Sequence, residues 1–403
     1  MDNGVHGIVR LGHLEEIFSR VGKPYPECTS WNRTKIFHEG EWRELDDLVP
    51  RPELRKIISE GILSLSYEEI EKYDDASLQE WVSKRTDNKG IHLSFWYLGW
   101  LACMGGNSYE SISAGELLFY IKECLTKLGG LANMGACFRG GPSFLTESLA
   151  EVIKEKGGEI RFNSEVSSIV IKDREVHGVK VEIEERIIPI QVLNTEFIEA
   201  PIVVNTLPVW DIFTVVSPDE FPTWYVDWIR EIEHKVTFCW GIRYSLSRPI
   251  MDESTMGWWL KSPRNGEMSP GSIMPMPSYG EAANEYVADF WQQGSWLGGP
   301  SPVQRGTAMV KREALKMLDF FEEDIKALFP DIEAHCCWKI YYFHTYGIAG
   351  SPRLVGKYRP SIQPPGIKNL YLVSDTLRDT RAAGMASAAR CALLCADRIL
   401  GKK

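Results

Sequence analysis

The segment from Leu370 to Leu400 constrains this chain more than any other. Leu370, Tyr371, Leu372 and Val373 form a short unbroken apolar run, the pattern of a strand covered on both faces. It stops at Ser374 and Asp375, a polar loop follows, and Gly384 opens a stretch rich in small residues that continues at helical spacing to Leu400. A buried strand, an acid at its carboxyl end and a helix N-terminus beyond it form a crevice faced by main-chain N–H groups and the positive end of the helix dipole. Nucleotide-type cofactors are often held in this way.

The rest of the chain must supply the walls of that crevice. At 403 residues it exceeds one ordinary domain of roughly 150 residues, so two or three units are expected. Lys and Arg number 45 against 55 Asp and Glu, a net charge of −10, and nucleic acid is therefore not expected as a partner. The nine cysteines are an odd set scattered through apolar stretches without a CxxC pair, the usage of a reduced, cytoplasmic protein. Residues 1 to 10 carry neither a basic nor an apolar signal region, so no signal peptide is expected. The longest apolar run, Leu93 to Met104, falls short of the ~18 residues of a membrane span. Peripheral contact with a membrane surface stays open.

Periodicity divides the chain further. Residues 46 to 128 read as mostly helical, becoming aromatic at Phe95, Trp96, Tyr97 and Trp100. Leu145, Leu149, Val152 and Ile153 recur at helical spacing, and Gly157 with Gly158 supplies a left-handed end. Ile160 and Phe162 alternate with polar residues as in a strand, and 168–171 and 176–183 alternate around Lys172, Asp173 and Arg174 as in a hairpin. Ile202, Val203 and Val204 form a short buried-strand run ended by Pro208. Residues 216 to 310 are mixed and loop-rich, with Trp258 and Trp259 among them. Ala314, Leu315, Leu318, Phe321, Ile325 and Leu328 then predict an amphipathic helix ended by Pro330.

Several of these pieces resemble one family. Gly140-Gly141-Pro142 with the helix after it, Gly157-Gly158-Glu159-Ile160 and Glu165-Val166-Ser167-Ser168-Ile169 are similar to the central segment of the FAD-dependent amine oxidase and phytoene desaturase superfamily. Asn369 to Leu400 resembles that family's C-terminal flavin motif. Asp2-Asn3-Gly4-Val5-His6 resembles the segment just after its first flavin-binding unit. The family's chain opens with a strand, a GxGxxG turn and a helix, where glycines let the backbone approach the pyrophosphate. No GxGxxG occurs in these 403 residues. The expectation is an N-terminally truncated family member, from a fragment, a misplaced start or a split gene, whose remaining parts cannot cradle the pyrophosphate as the family does.

The resemblance implies a set of cofactor-binding residues. Asp375 would accept hydrogen bonds from ribityl hydroxyls, and an Asx turn is the plainer role for such an aspartate. Gly384, Met385 and Ala386 would offer N–H groups to the flavin N1 and C2 carbonyl, although small residues there also let a helix pack closely. Glu165 and Val166 would border the adenine, and Gly4, Val5 and His6 would lie near the isoalloxazine. Ser374 stands where the family has glycine, and its side chain would crowd the backbone approach. Arg378 and Arg381 would neutralise a phosphate or carboxylate, or else lie in a solvated loop. Phe95, Trp96, Tyr97, Trp100, Trp258 and Trp259 would wall an apolar cavity, and core packing is the commoner use of such residues. His335, Cys336, Cys337 and His344 lack a second pair at ligand spacing, so no metal is expected. With no GxSxG and no P-loop, an α/β-hydrolase and a P-loop NTPase are unsupported. No catalytic acid or base can be named.

The expected fold is α+β: an α/β-like FAD-binding lobe with an incomplete Rossmann-type sheet, and a mixed substrate lobe with a helical part. The first would use residues 1–45, 129–215 and 351–403, the second 46–128 and 216–350. The activity implied by the resemblance is removal of a hydride from a C–H bond of an amine or lipophilic substrate to flavin N5. Two alternatives stand beside it: a non-catalytic remnant that binds a lipophilic ligand, and one half of a split flavoenzyme whose partner chain carries the missing unit.

Overall fold

The computed structural model describes residues 8–9, 11–103, 108–130, 135–138, 141–187, 190–233, 235–276, 285–295, 308–348, 350–378, 381 and 384–401. Its largest layer is a seven-stranded sheet. In spatial order this holds β14 (Cys336–Ile348), β10 (Val236–Leu246), β13 (Tyr286–Ser295), β12 (Met268–Met276), β11 (Thr255–Lys261), β3 (Arg33–His38) and β4 (Glu41–Glu44). Every pairing is antiparallel except that of β11 with β3, which brings an early segment of the chain into a sheet built mainly from late ones. β10 is buried at every position, yet its period of two still sorts the side chains. Trp240, Ile242, Tyr244 and Leu246 join one core with Leu318, Phe321, Ile325 and Leu328 of helix α9 (Ala308–Leu328), while Cys239 joins another on the opposite face. Leu315 was expected on the buried stripe of α9 and is 52% exposed, since its angle around the helix points it away from the sheet.

Residues 46 to 128 are helical as their pattern predicts: α2 (Arg51–Ile58), α3 (Tyr67–Glu71), α4 (Leu78–Ser83), α5 (Lys89–Cys103) and α6 (Ala114–Leu128). A capping box starts α3, with Ser66 Oγ accepting from the Glu69 N–H and the Ser66 N–H donating to Glu69 at 2.7 Å. α6 begins at an N-cap Ser113 and ends at Gly129, φ +70°. Gly115, in its first turn, is pressed against the segment after α3; a Cβ there would lie 2.2 Å from Asp74 Oδ1. These helices enclose a core of their own around Trp81, Phe95, Leu117 and Tyr120.

The third region collects segments from both ends of the chain. β15 (Leu370–Leu372) is buried at all three positions and pairs in parallel with β9 (Val203–Asn205). Helix α11 (Met385–Ile399) follows, setting Cys391 and Cys395 into a core with β15 and with Tyr225, Val226 and Ile229 of α8 (Thr223–Glu233). Ile202 and Val204, expected to be buried, are 40% and 42% exposed. Among the described residues β9 has a strand on one side only. Helix α1 (His13–Val21) lies against α11, joined by Arg20 Nη1 to Asp397 Oδ1 at 2.7 Å.

A separate three-stranded sheet holds β6 (Ser164–Lys172), β7 (Glu175–Ile187) and β8 (Ile190–Glu199). Its expected hairpin turns at Asp173 and Arg174, both at positive φ (49° and 62°), as a tight two-residue connection requires. Asn369 Nδ2 donates to Glu175 Oε1 at 2.8 Å and ties this hairpin to the approach of β15. Ile160 and Phe162 are not in a strand, and Phe162 is 79% exposed; the chain enters the sheet only at Ser164. A last small sheet pairs β1 (Ile8–Val9), β5 (Gly135–Phe138) and β2 (Cys28–Ser30), beside helix α7 (Ser143–Glu155). α7 ends as expected at Gly157, φ +81°, with the Gly158 N–H returning to Ile153 O at 2.8 Å. The short α10 (Ile332–His335) leads into β14.

Candidate functional site

At the carboxyl end of β15 the chain turns through Ser374 and Asp375 and returns at Gly384, the residue before α11. The Gly384 N–H donates to Asp375 Oδ2 at 3.0 Å. Gly384 holds φ +83° and ψ −161°, a conformation open to glycine and strained for other residues. Among the described residues nothing lies within 4 Å of where a Cβ on Gly384 would sit. Among the described residues no side chain caps the N-terminus of α11. The main-chain donors of Met385 and Ala386 therefore sit at the positive end of the dipole beside an acid and an open space.

Asp375 is half-buried. Desolvation raises its carboxyl above the usual range, against the lowering by the Gly384 N–H and by Arg359. Ser374 does not adopt positive φ, and its hydroxyl folds back on its own turn, accepting from the Thr376 N–H at 3.2 Å and sharing a 2.8 Å hydrogen bond with Thr376 Oγ1. Its side chain is thereby occupied locally.

Ser374, Asp375, Gly384, Met385 and Ala386 are thus gathered at one junction. Met385 packs against the core around Phe18 and Phe138, and Ala386 against the helical core, so the start of α11 is wedged between two bodies of the fold. Glu165 and Val166 are exposed on β6, the outer strand of its own sheet. Gly4, Val5 and His6 lie outside the described residues.

Two expectations are corrected by the packing. Arg381 is buried and its guanidinium is committed, donating to Asp74 Oδ1 at 2.9 Å and Oδ2 at 2.6 Å. It clamps the loop before α11 to the helical core and is neither solvated nor available to a ligand. The six aromatics do not form one wall. Neighbouring residues on a strand point to opposite faces and those on a helix spread around it, so Trp259 stacks on Phe321, Phe95 meets Trp81 and Trp96 stacks on Tyr109. Tyr97, Trp100 and Trp258 share one buried cluster, with Trp96 packed against its edge.

That cluster lies between α5 and the large sheet. Register places Tyr342, Gly241, Trp291, Ser272, Trp258 and Ile36 in one row across six strands. Trp100 stacks on Trp291 at 4.6 Å and Tyr97 lies 5.1 Å from Trp258. One step along the same face, Asp289 is fully buried, 3.4 Å from Arg243 Nη2 and accepting from the Tyr342 hydroxyl at 3.1 Å. Burial outweighs both partners and pushes its pKa up to about 6. Nothing in the sequence pattern separates this acid from the other polar residues of its strand.

A sequence model of the family described as flavin containing amine oxidoreductase matches residues 19–400. The chain belongs to this family. Its fold is shared with an oxidoreductase from Methanosarcina mazei (TM-score 0.68, 13% identity, covering 98% of this chain and 88% of that one). It is shared also with cyclohexylamine oxidase from Brevibacterium oxydans IH-35A (TM-score 0.63, 12% identity, 100% and 88%) and with putrescine oxidase bound to putrescine (TM-score 0.59, 11% identity, 97% and 86%). No curated protein matches significantly in sequence.

The cofactor of this flavoprotein family is FAD. The uncapped start of α11, the empty space before Gly384 and the acid at the end of β15 fit the isoalloxazine and ribityl end of such a cofactor. For the pyrophosphate the family uses a glycine turn that these 403 residues do not contain. The α+β fold of a flavin oxidoreductase is present, and no helix among the described residues is long and apolar enough to cross a membrane.

Proposed function

We infer that this oxidoreductase removes a hydride from a C–H bond of an amine or another lipophilic small molecule. The observation that carries the reading is the junction of β15 and α11, where an acid, an uncapped helix N-terminus and an open space meet. The shared fold with enzymes named for cyclohexylamine and putrescine favours an amine. FAD bound there would supply the hydride acceptor at N5. The chain's own part is orientation and electrostatics. Asp375 would receive the ribityl hydroxyls, and the N–H groups of Met385 and Ala386 would face the flavin N1 and C2 carbonyl, where negative charge develops on reduction. No side chain is assigned as acid or base, because hydride transfer of this kind depends on position more than on proton transfer.

A second reading has its own support. Parallel strands are normally covered on both faces, yet Val204 of β9 and Ile202 just before it are exposed. A strand–GxGxxG–helix unit from outside these 403 residues, docked along β9, would cover them and supply the pyrophosphate turn.

The test is a visible spectrum of the purified chain after incubation with FAD and removal of the unbound cofactor, followed by anaerobic addition of primary amines. Retained flavin absorbance that is lost in Asp375→Ala and bleached by an amine is the expected result. A folded but colourless chain would overturn self-sufficient FAD binding. Colour restored by adding a GxGxxG unit would then establish the second reading, and a chain that stays colourless but binds lipophilic ligands would be a remnant.

A further inference from the structure

A cleft of about 690 Å3 lies between α1, α3, α6, the turn at Gly356–Tyr358 and the side of α11. Neither Asp375 nor Gly384 lines it. Six cationic side chains face it against four carboxylates, in a chain whose net charge is −10.

The carboxylates are already engaged. Glu16 and Asp397 both hold Arg20, at 2.6 and 2.7 Å. Glu123 holds Lys127 at 2.6 Å and accepts from the Tyr67 hydroxyl. Glu71 lies 3.6 Å from Arg381, itself bidentate on Asp74.

Three cations on the same cleft have no carboxylate partner among the described residues. Arg378 is steered by main-chain carbonyls, with Nη2 donating to Lys357 O at 3.2 Å and Nε to Arg359 O at 3.4 Å. Lys357 lies over the Tyr358 ring at 5.1 Å. Arg390 lies over Phe119 at 5.5 Å, on the opposite bank. Beside Arg390, the Nε2 atom of His13 is buried without a hydrogen-bond partner among the described residues. Its pKa is lowered by burial first and then by Lys127 and Arg390, so the ring is neutral there.

Cations without an ion-pair contact around a concavity recognise an anion, and guanidinium forks match phosphoryl oxygens in pairs. Three of them exceed what one carboxylate neutralises. Phe119, Leu393 and Leu394 supply apolar wall for the rest of a ligand. We propose that the cleft between α1, α6 and α11 binds a phosphorylated small molecule, gripped by Lys357, Arg378 and Arg390. This site does not depend on the flavin reading.

The experiment is calorimetric titration of the full chain with inorganic pyrophosphate at constant ionic strength. The comparison variants are Arg390→Gln, Lys357→Gln and a surface control, Arg51→Gln, whose native partner is the exposed Asp46. A charge-assisted hydrogen bond is worth roughly 1.5–3 kcal/mol, so each cleft substitution is expected to weaken saturable binding by about tenfold or more, with the control unchanged. Circular dichroism checks that the variants fold, and neither residue has an ion pair to lose among the described residues. The absence of saturable binding, or equal weakening in the control, overturns the proposal. Repeating the titration with excess FAD separates the sources: undiminished binding indicates a distinct organic phosphate, and competition indicates that the cleft accepts the phosphates of the dinucleotide itself.

Discussion

Asp289 provides a sharp test of how this protein distributes charge in its core. The residue is 0% exposed at the centre of the large sheet, with Arg243 at 3.4 Å and the Tyr342 hydroxyl at 3.1 Å. Burial moves its carboxyl from 3.8 to about 6. A folded-state pKa above the unfolded one means that the native protein binds the proton more tightly, so stability falls as pH rises from the unfolded value to the folded one. The gap of about two units, at 1.36 kcal/mol each, amounts to about 3 kcal/mol. This loss accumulates between pH 3.8 and about 6 and stays constant above. Asp289→Asn removes the titration while keeping the shape and most hydrogen-bonding capacity. Urea unfolding followed by tryptophan fluorescence, for both proteins from pH 3.5 to 8, isolates the difference. The stability of the variant relative to the native protein should move by about 3 kcal/mol in the variant's favour across that window and then level off. Parallel pH profiles, or a difference that grows toward low pH, would refute the reasoning.

Other perturbations are as concrete. Arg381→Ala leaves Asp74 buried without its bidentate partner and should cost about 3–5 kcal/mol of stability in thermal or urea unfolding. Gly115→Ala places a methyl 2.2 Å from Asp74 Oδ1 and 2.7 Å from the Asp74 main-chain nitrogen; backbone must move, and a loss of about 1–3 kcal/mol is expected. Gly384→Ala meets no steric obstacle but forces alanine to positive φ. It should cost about 1–2 kcal/mol and lower the flavin-to-protein absorbance ratio more than it lowers the unfolding midpoint.

What could be read from the sequence was local. The run Leu370–Leu372 ending in an acid, the turn at Asp173 and Arg174, and the glycine that stops α7 each announce themselves within a few residues, because dihedral preference and alternation act at that range. The capture of Arg381 by Asp74 joins residues 307 positions apart, and no spacing rule reaches it. The same limit hid the partition of the aromatics. Trp258 and Trp259 look alike in sequence, but one faces α5 and the other α9, and only the covering helices distinguish them. Phe162 and Ile160 show the opposite failure, an alternation without a neighbouring strand to pair with. Ile202 and Val204 failed for a related reason, since an apolar run announces burial only when something lies across it.

The contact between α1 and α11 sets a clock on biosynthesis. Arg20 finds Asp397 across 377 positions, so at roughly 5–20 residues per second α1 emerges about 20–75 s before its partner exists. The helices of residues 46 to 128 wait less, because most of their core comes from near neighbours in the chain, with Leu11 and Ala386 joining from outside it. A nascent chain therefore carries a nearly complete helical body before the region around β15 and α11 exists. Throughout that interval α1 has no α11 to pack against.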